Sequence, residues 1–368
     1  MRVLHVVTYI SLNSEFGGPS QVALNILSEL NKSEHCEIIA LSNSKTILNL
    51  SGSSITDAHL FREFRVLKRL GFAGIINFRI FLRFFRIRKN FDLVHIHLAR
   101  DLVTLPISFM CLILGKPYIL QTHGMIDPSK LRIASVLDLL LTRRVLRGSL
   151  RILSLSEEED IDLRSVEKEI VIERFLNAAS KTTETIRENK VSFVGRLSHD
   201  KRPDLLVRAA LILLQTNHEI SFEFVGPDGG LLKECTKIVS EGVFEDRFKF
   251  LGPLSNSDTI KQLSNSQILV LPSPRDRFPL AVIEALSAGT PVVITAGNGL
   301  AELVTEYHAG EVTDLSELSI SIAISKVLDN FHEYQVNSRK LFDEVFEISA
   351  NVNKLREIYT KSLLNSRI

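Results

Sequence analysis

Leu271-Pro272-Ser273-Pro274-Arg275-Asp276-Arg277-Phe278-Pro279-Leu280-Ala281-Val282-Ile283-Glu284-Ala285-Leu286-Ser287-Ala288-Gly289-Thr290-Pro291-Val292-Val293 reads as the end of a strand, a polar loop, a short helix, a stop and the start of the next strand. Pro279 suits the first turn of a helix, where a missing N–H removes no hydrogen bond. Gly289 suits the stop, because glycine accepts the left-handed turn that ends many helices. The loop therefore offers free backbone N–H groups beside a helix N-terminus, an arrangement that attracts phosphate. Asp276 and Glu284 flank it eight positions apart. Acids beside an anion site make sense as acceptors for sugar hydroxyls.

Outward from this stretch, short β-branched runs alternate with longer helical patterns. The first half offers Arg2–Val7, Glu37–Leu41, Leu93–Ile96, Tyr118–Gln121, Ile152–Leu155 and Ile170–Ile172 as strands. The second half offers Val191–Val194, Ser221–Val225, Phe248–Leu251, Ile268–Leu271 and Pro291–Ile294. Such alternation means parallel sheets covered by helices, an α/β chain. The pattern restarts near Val191, and the small and polar stretch 177–190 suits a linker. With 368 residues, two Rossmann-like doubly wound domains facing a cleft are expected, at 1–176 and 191–345. Ligands of such sheets bind outside the carboxyl ends of the strands.

Composition narrows the classes. A formal net charge of +1 provides no global field for nucleic acid, and 45% hydrophobic with 24% charged residues is a globular profile. Cys36, Cys111 and Cys235 are far apart and odd in number, so neither a disulfide framework nor a metal site follows; a reducing cytosol is expected. The apolar start, Met1–Ile10, lacks a small-residue cleavage site and reads as a buried strand. The apolar run Leu102–Leu114 falls short of the roughly 20 residues a membrane span needs. It reads as a buried helix with Pro106 in its first turn. No Gly-any-Gly-any-any-Gly opens the first helix of either half, which disfavours a nicotinamide enzyme.

A second segment supports the first. In Phe193-Val194-Gly195-Arg196-Leu197-Ser198-His199-Asp200-Lys201-Arg202-Pro203, Arg196 and Lys201 lie on the loop that follows a strand. Two cations there can clamp a diphosphate, Arg with a fixed fork. The two segments together resemble glycosyltransferase family 4 of the GT-B fold. Ser273, Phe278, Pro279, Glu284, Ala285, Gly289 and Pro291 match one family pattern, and Gly195-Arg196-Leu197 with Lys201 match another. The resemblance implies a retaining transfer of a sugar from a nucleoside diphosphate, with no metal and no cofactor. Its acceptor would be a glycan or lipid-linked oligosaccharide in cell-surface polysaccharide synthesis. Arg196 and Lys201 would hold the diphosphate and Glu284 the ribose. Asp276 stands where the family has Glu and would meet the donor sugar with a carboxylate one methylene, about 1.3–1.5 Å, nearer the backbone. The loop residues Arg277, Phe278, Pro279 and Leu280 would line the donor site, with Gly226 of the turn Val225–Gly230 near the nucleotide.

In the first half, Gly17 and Gly18 resemble a family Gly-Gly that faces the cleft. Gln121-Thr122-His123-Gly124-Met125-Ile126-Asp127-Pro128 resembles a loop whose His, here His123, faces the donor sugar. The family also implies that the terminal helix, 346–368, packs back on the first domain. Between Leu60 and Phe91, phenylalanines and basic residues interleave at near-helical spacing, with Glu63 the one acid. This reads either as a helix with one core face and one solvated basic face, or as an attachment at 60–90 to an anionic membrane on the cytoplasmic side. Two other functions fit the same motifs. A non-catalytic binder of sugar nucleotides is favoured by Asp276, and an epimerase or hydrolase uses the same fold.

Overall fold

A computed structural model describes residues 1–10, 18–43, 58–66, 73–127, 141–176, 178–182, 186–216 and 219–365 of the chain. They divide into two compact units, one of Met1–Ala178 with Ile348–Ile368 and one of Ala179–Glu347.

In the first unit the strands are β1 (Arg2–Ile10), β2 (His35–Ser42), β3 (Ala58–Arg62), β4 (Phe64–Arg65), β5 (Ile75–Ile76), β6 (Leu93–His97), β7 (Tyr118–Gln121), β8 (Arg151–Ser154) and β9 (Ile172–Arg174). Seven of them form a sheet in the order β3-β2-β1-β6-β7-β8-β9, while β4 and β5 pair separately. All neighbours in the seven-stranded sheet run parallel. Strand β1 is buried from Val3 to Ile10, as expected of a strand covered on both faces. The helix Gly18–Leu30 packs on β1, and the terminal helix Ile348–Asn365 packs on that helix. Tyr359 Oη of the terminal helix lies 2.6 Å from His95 Nδ1, and Arg356 Nη2 donates to Ser33 Oγ at 2.6 Å.

The second unit holds β10 (Lys190–Val194), β11 (Ser221–Val225), β12 (Phe248–Gly252), β13 (Ile268–Leu271), β14 (Val292–Thr295) and β15 (Gly310–Thr313). They form one parallel sheet in the order β12-β11-β10-β13-β14-β15. In both sheets the order reverses at one point, between β1 and β6 and between β10 and β13. Right-handed crossovers then run over one face before the reversal and over the other after it, so each sheet is doubly wound. The loops at the carboxyl ends of the two strands flanking each reversal are where such a sheet binds ligands.

Several sequence expectations differ from the structure. The stretch 177–190 is not a free connector, because Ala179–Asn189 belongs to the second unit. Arg187 holds it there, donating from Nη1 to Ser264 O at 3.1 Å, Ser266 O at 2.5 Å and Thr290 Oγ1 at 2.7 Å, and from Nη2 to Ala288 O at 2.7 Å. The partners of Arg187 lie more than 70 positions away, so the local sequence of the stretch carries no sign of them. The region 60–90 is not one helix: β3, β4 and β5 precede a helix at Phe78–Ile87. The run Leu102–Leu114 is helical over Thr104–Ile113, but its end is exposed at Ile113 and Leu114. Strand β15 adds to the strands expected from the sequence, since Gly310-Glu311-Val312-Thr313 carries a single apolar side chain and shows no strand pattern. Pro279 stands one position earlier than expected, as the N-cap of the helix Leu280–Ser287.

Replacing Arg187 by Met should leave these acceptors unpaired. We expect a loss of about 2–3 kcal/mol in urea unfolding monitored by circular dichroism. An unchanged midpoint would show that the segment is held by other means.

Candidate functional site

The loops at the reversal of the second sheet are tied to one another by backbone hydrogen bonds. Leu197 N donates to Pro227 O at 2.9 Å and Gly229 N to Leu197 O at 3.0 Å. Asp276 N donates to Gly297 O at 3.1 Å and Gly299 N to Asp276 O at 2.8 Å. Such close approach requires missing side chains. A Cβ on Gly297 would stand 1.9 Å from Pro274 O, and one on Gly299 would stand 1.9 Å from Arg277 O. Gly226, at φ 142°, would meet Gly195 O at 2.0 Å. Its glycine is therefore accounted for by backbone packing, whatever lies near it when ligand binds.

Lys201 and Asp276 are the residues most directly brought together. Lys201 Nζ forms a salt bridge to Asp276 Oδ2, joining the loop after β10 to the loop after β13. Lys201 is set by a tight turn, since Ser198 O accepts from both Lys201 N and Arg202 N at 3.0 Å. Arg202 takes the left-handed conformation, φ 52°, and its fork grips Asp204 with Nη2–Oδ2 at 2.7 Å. Arg196 is exposed on the same loop. Its side chain passes over Gly229, where an added Cβ would lie 2.7 Å from Arg196 Cγ. Arg277 and Phe278 are half-buried beside Asp276, and the Phe278 ring meets Phe346 edge-on at 6.3 Å.

Pro279 lacks an N–H, so the free amides at this helix start begin with Leu280. Glu284 lies one turn on from Leu280. Burial pushes its carboxyl up to about 7, against the opposing hydrogen bond that Asn256 Nδ2 donates to Oε1 at 2.9 Å. The sign follows: the folded state holds a proton here that the unfolded chain releases near the ordinary carboxylate range. Stability is thus lost as pH rises toward 7. Asn256 was not legible in the sequence, because a contact 28 positions away leaves no local pattern.

In the first unit the reversal brings histidines together. Strand register sets His5 opposite His95, and His97 lies two positions further along β6. His5 Nδ1 lies 3.4 Å from His97 Nε2, and His97 Nδ1 lies 2.8 Å from His123 Nε2. Burial holds His5 and His123 down to about 3 and His95 and His97 well below their ordinary value, so all four are neutral at pH 7. A neutral ring donates from one nitrogen and accepts at the other. His97 therefore links the protonation of His123 to that of His5: if His97 donates to His123 Nε2, His123 keeps its proton on Nδ1. Ligand nitrogens of His5, His95 and His97 lie within 4.8 Å of one another. However, the rings of His95 and His97 are stacked at 15°, so their lone pairs lie in separate planes and do not converge.

His123 sits at φ 50°, strained for a residue with a side chain, and the loop around it is clamped. Glu159 is fully buried and accepts from Thr122 Oγ1 and Gly124 N, both at 2.5 Å, and from Leu155 N at 2.8 Å. The sequence signal for it was Ser156-Glu157-Glu158-Glu159, the Ser-any-any-Glu spacing of a helix start. Ser156 is the N-cap, but the Glu159 carboxylate reaches past it to the His123 loop. Arg100 Nη1 donates to Asp127 Oδ1 at 3.2 Å and Arg100 Nη2 to the Asp127 carbonyl at 2.5 Å. Gly18 opens the helix Gly18–Leu30, and Gly17 lies outside the described residues.

Two Rossmann-like units, the second with cations and carboxylates at its reversal point, define the GT-B class. The model of glycosyl transferases group 1 matches residues 177–340, and that of Glycosyltransferase Family 4 matches residues 16–172. The chain belongs to the family 4 type of glycosyltransferase. It is 30% identical over 179 residues to an uncharacterized glycosyltransferase of Methanocaldococcus jannaschii, across 46% of this chain and 45% of that protein. It is 32% identical over 132 residues to a D-inositol 3-phosphate glycosyltransferase of Salinispora tropica, across 34% of this chain and 27% of that protein. The matches thus span less than half the length of these curated relatives. Among solved structures, Anabaena HepE in complex with UDP and glucose shares the fold with a TM-score of 0.78 at 15% identity, over 98% of this chain and all of that one. The pneumococcal O-GlcNAc transferase GtfA in complex with UDP and GlcNAc shares it with a TM-score of 0.77 at 10% identity, over 99% of each chain.

Replacing Asn256 by Leu removes the hydrogen bond that opposes the burial of Glu284. The Glu284 pKa should rise further above about 7, read by carboxyl-carbon NMR titration of the ligand-free protein. A downward or absent shift would show that Asn256 does not act on this carboxyl.

Proposed function

We propose that this protein transfers a sugar from a nucleoside diphosphate to an acceptor hydroxyl, with retention of configuration. The acceptor is a glycan or a lipid-linked oligosaccharide, and the product feeds cell-surface polysaccharide. The observation that carries the reading is the Lys201–Asp276 pair at the reversal of the second sheet, with Arg196 on the same loop as Lys201. UDP in the solved complexes of like-folded proteins supports a uridine diphosphate sugar as the first donor to try.

The chemistry breaks the bond between the sugar C1 and a diphosphate oxygen, and that oxygen leaves with the electron pair. The acceptor oxygen forms the new bond to C1 on the face the diphosphate leaves, and its proton passes to the departing diphosphate oxygen. Charge grows on the departing diphosphate, so cations aimed at it act on the transition state more than on the ground state. Arg196, Lys201 and the first amides of the helix Leu280–Ser287 supply that opposition without a metal ion. Asp276, released from Lys201 when diphosphate takes its place, accepts from sugar hydroxyls. Glu284 accepts from the ribose, with Asn256 orienting it. In the first unit His123, held by Glu159 and His97, offers a ring nitrogen to a substrate hydroxyl.

Thermal unfolding with a panel of nucleoside diphosphates and their sugars tests the donor. One at 100 times its Kd should stabilise the fold by about 2.7 kcal/mol. Arg196→Ala and Lys201→Ala should lose that shift, and Glu284→Gln should weaken it. Binding to the wild type should strengthen as pH rises through about 7, because the ionised Glu284 is the better acceptor. No shift with any member of the panel would end the reading. A shift without transfer to any acceptor would favour a binder, and free sugar released from the donor would favour a hydrolase. Transfer should survive EDTA. Asp276→Ala should abolish it, whereas Asp276→Glu should keep it if the sugar site tolerates the longer acid.

A further inference from the structure

The helix Phe78–Ile87 carries two apolar stripes where a surface helix needs one. Ile80, Phe84 and Ile87 are buried in the first unit. Phe78, Leu82 and Phe85 repeat the same spacing two positions earlier, so they lie on the opposite side of the helix, and they are 73%, 59% and 48% exposed. Between the stripes, Arg79, Arg83 and Arg86 form a row of cations, all exposed. Lys89 continues the outer stripe, and Arg88 lies over the Phe85 ring at 3.8 Å. No acid occurs from Phe78 to Asn90. The element is rigidly seated: Asn77 caps it by accepting from Arg79 N at 2.9 Å and donates to Arg62 O at 2.7 Å. The short β4–β5 hairpin just before it adds exposed Phe64 and Val66, with Val66 N donating to Gly74 O at 3.1 Å. Among the described residues no helix is long and apolar enough to cross a membrane.

We propose that this face seats on an anionic lipid bilayer. Phe78, Leu82 and Phe85 enter the boundary between headgroups and acyl chains, and Arg79, Arg83 and Arg86 stay at the level of the lipid phosphates. Arginine is suited to both demands, with a stem that packs on apolar surface and a fork that meets phosphate. A second copy of the chain fits less well, since pairing the same face would set arginines against arginines with no acid on the helix to offset them. This inference is independent of the sugar chemistry, and its test uses no activity.

The test is co-sedimentation of the full chain with vesicles of phosphatidylcholine alone and of phosphatidylcholine with phosphatidylglycerol. Binding is expected to the mixed vesicles, falling as salt is raised. The variant R79A/R83A/R86A should weaken it on the order of 100-fold, about five-fold per arginine. F78S/L82S/F85S should abolish the part that survives high salt. All six side chains are exposed, so both variants should unfold at the wild-type temperature, which a melt verifies. The inference is overturned if the wild type does not pellet with mixed vesicles or if both folded variants pellet as it does. It is also overturned if the variants abolish a dimer that forms without lipid.

Discussion

The salt bridge between Lys201 and Asp276 joins two loops 75 positions apart, and the candidate donor site depends on the order of strands that allows it. Only because β10 lies next to β13 do the loops that follow them share one end of the sheet. Only because Gly226, Gly229, Gly297 and Gly299 lack side chains can the surrounding loops approach within backbone hydrogen-bonding range. A cation and a carboxylate confined at such a place satisfy each other until an anion competes for the cation. The two loops are therefore fixed to each other by this pair and by their backbone hydrogen bonds.

The two units handle ionisable groups in opposite ways. The first holds four histidines as neutral rings, His5, His95 and His97 buried and His123 half-buried, and protonating them opposes the fold, so stability falls as pH drops below their ordinary range. The second holds a half-buried carboxyl, Glu284, whose ionisation opposes the fold as pH rises. Glu159 is a fully buried acid whose hydrogen bonds from Thr122 and Gly124 hold His123 between them in a backbone conformation that a side chain disfavours. Clamping of that kind is how a fold holds local strain.

Much of the candidate site was legible because its residues sit in short runs next to strand ends. Arg196 and Lys201 follow β10, and Asp276 to Glu284 follow β13, so strand–loop–helix punctuation by Pro279 and Gly289 marked them. Asn256 and the clamp on His123 were hidden for the converse reason, since each acts on a residue distant in sequence. The helix Phe78–Ile87 shows a further limit. Its phenylalanines and arginines were visible as an interleaved run, but which phenylalanines face the core depends on where the helix begins.

The amino-acid sequence by itself determined the two parallel-sheet units, since buried β-branched runs alternating with helical patterns admit no other layering. It also determined which side chains carry charge at strand ends. Tertiary structure alone decided that 179–189 is part of the second unit, that Lys201 meets Asp276, and that Phe78, Leu82 and Phe85 face outward. The physical reason is common to all three. Local pattern follows from backbone geometry over a few residues, whereas partners and exposure follow from packing between segments that only the folded chain brings together.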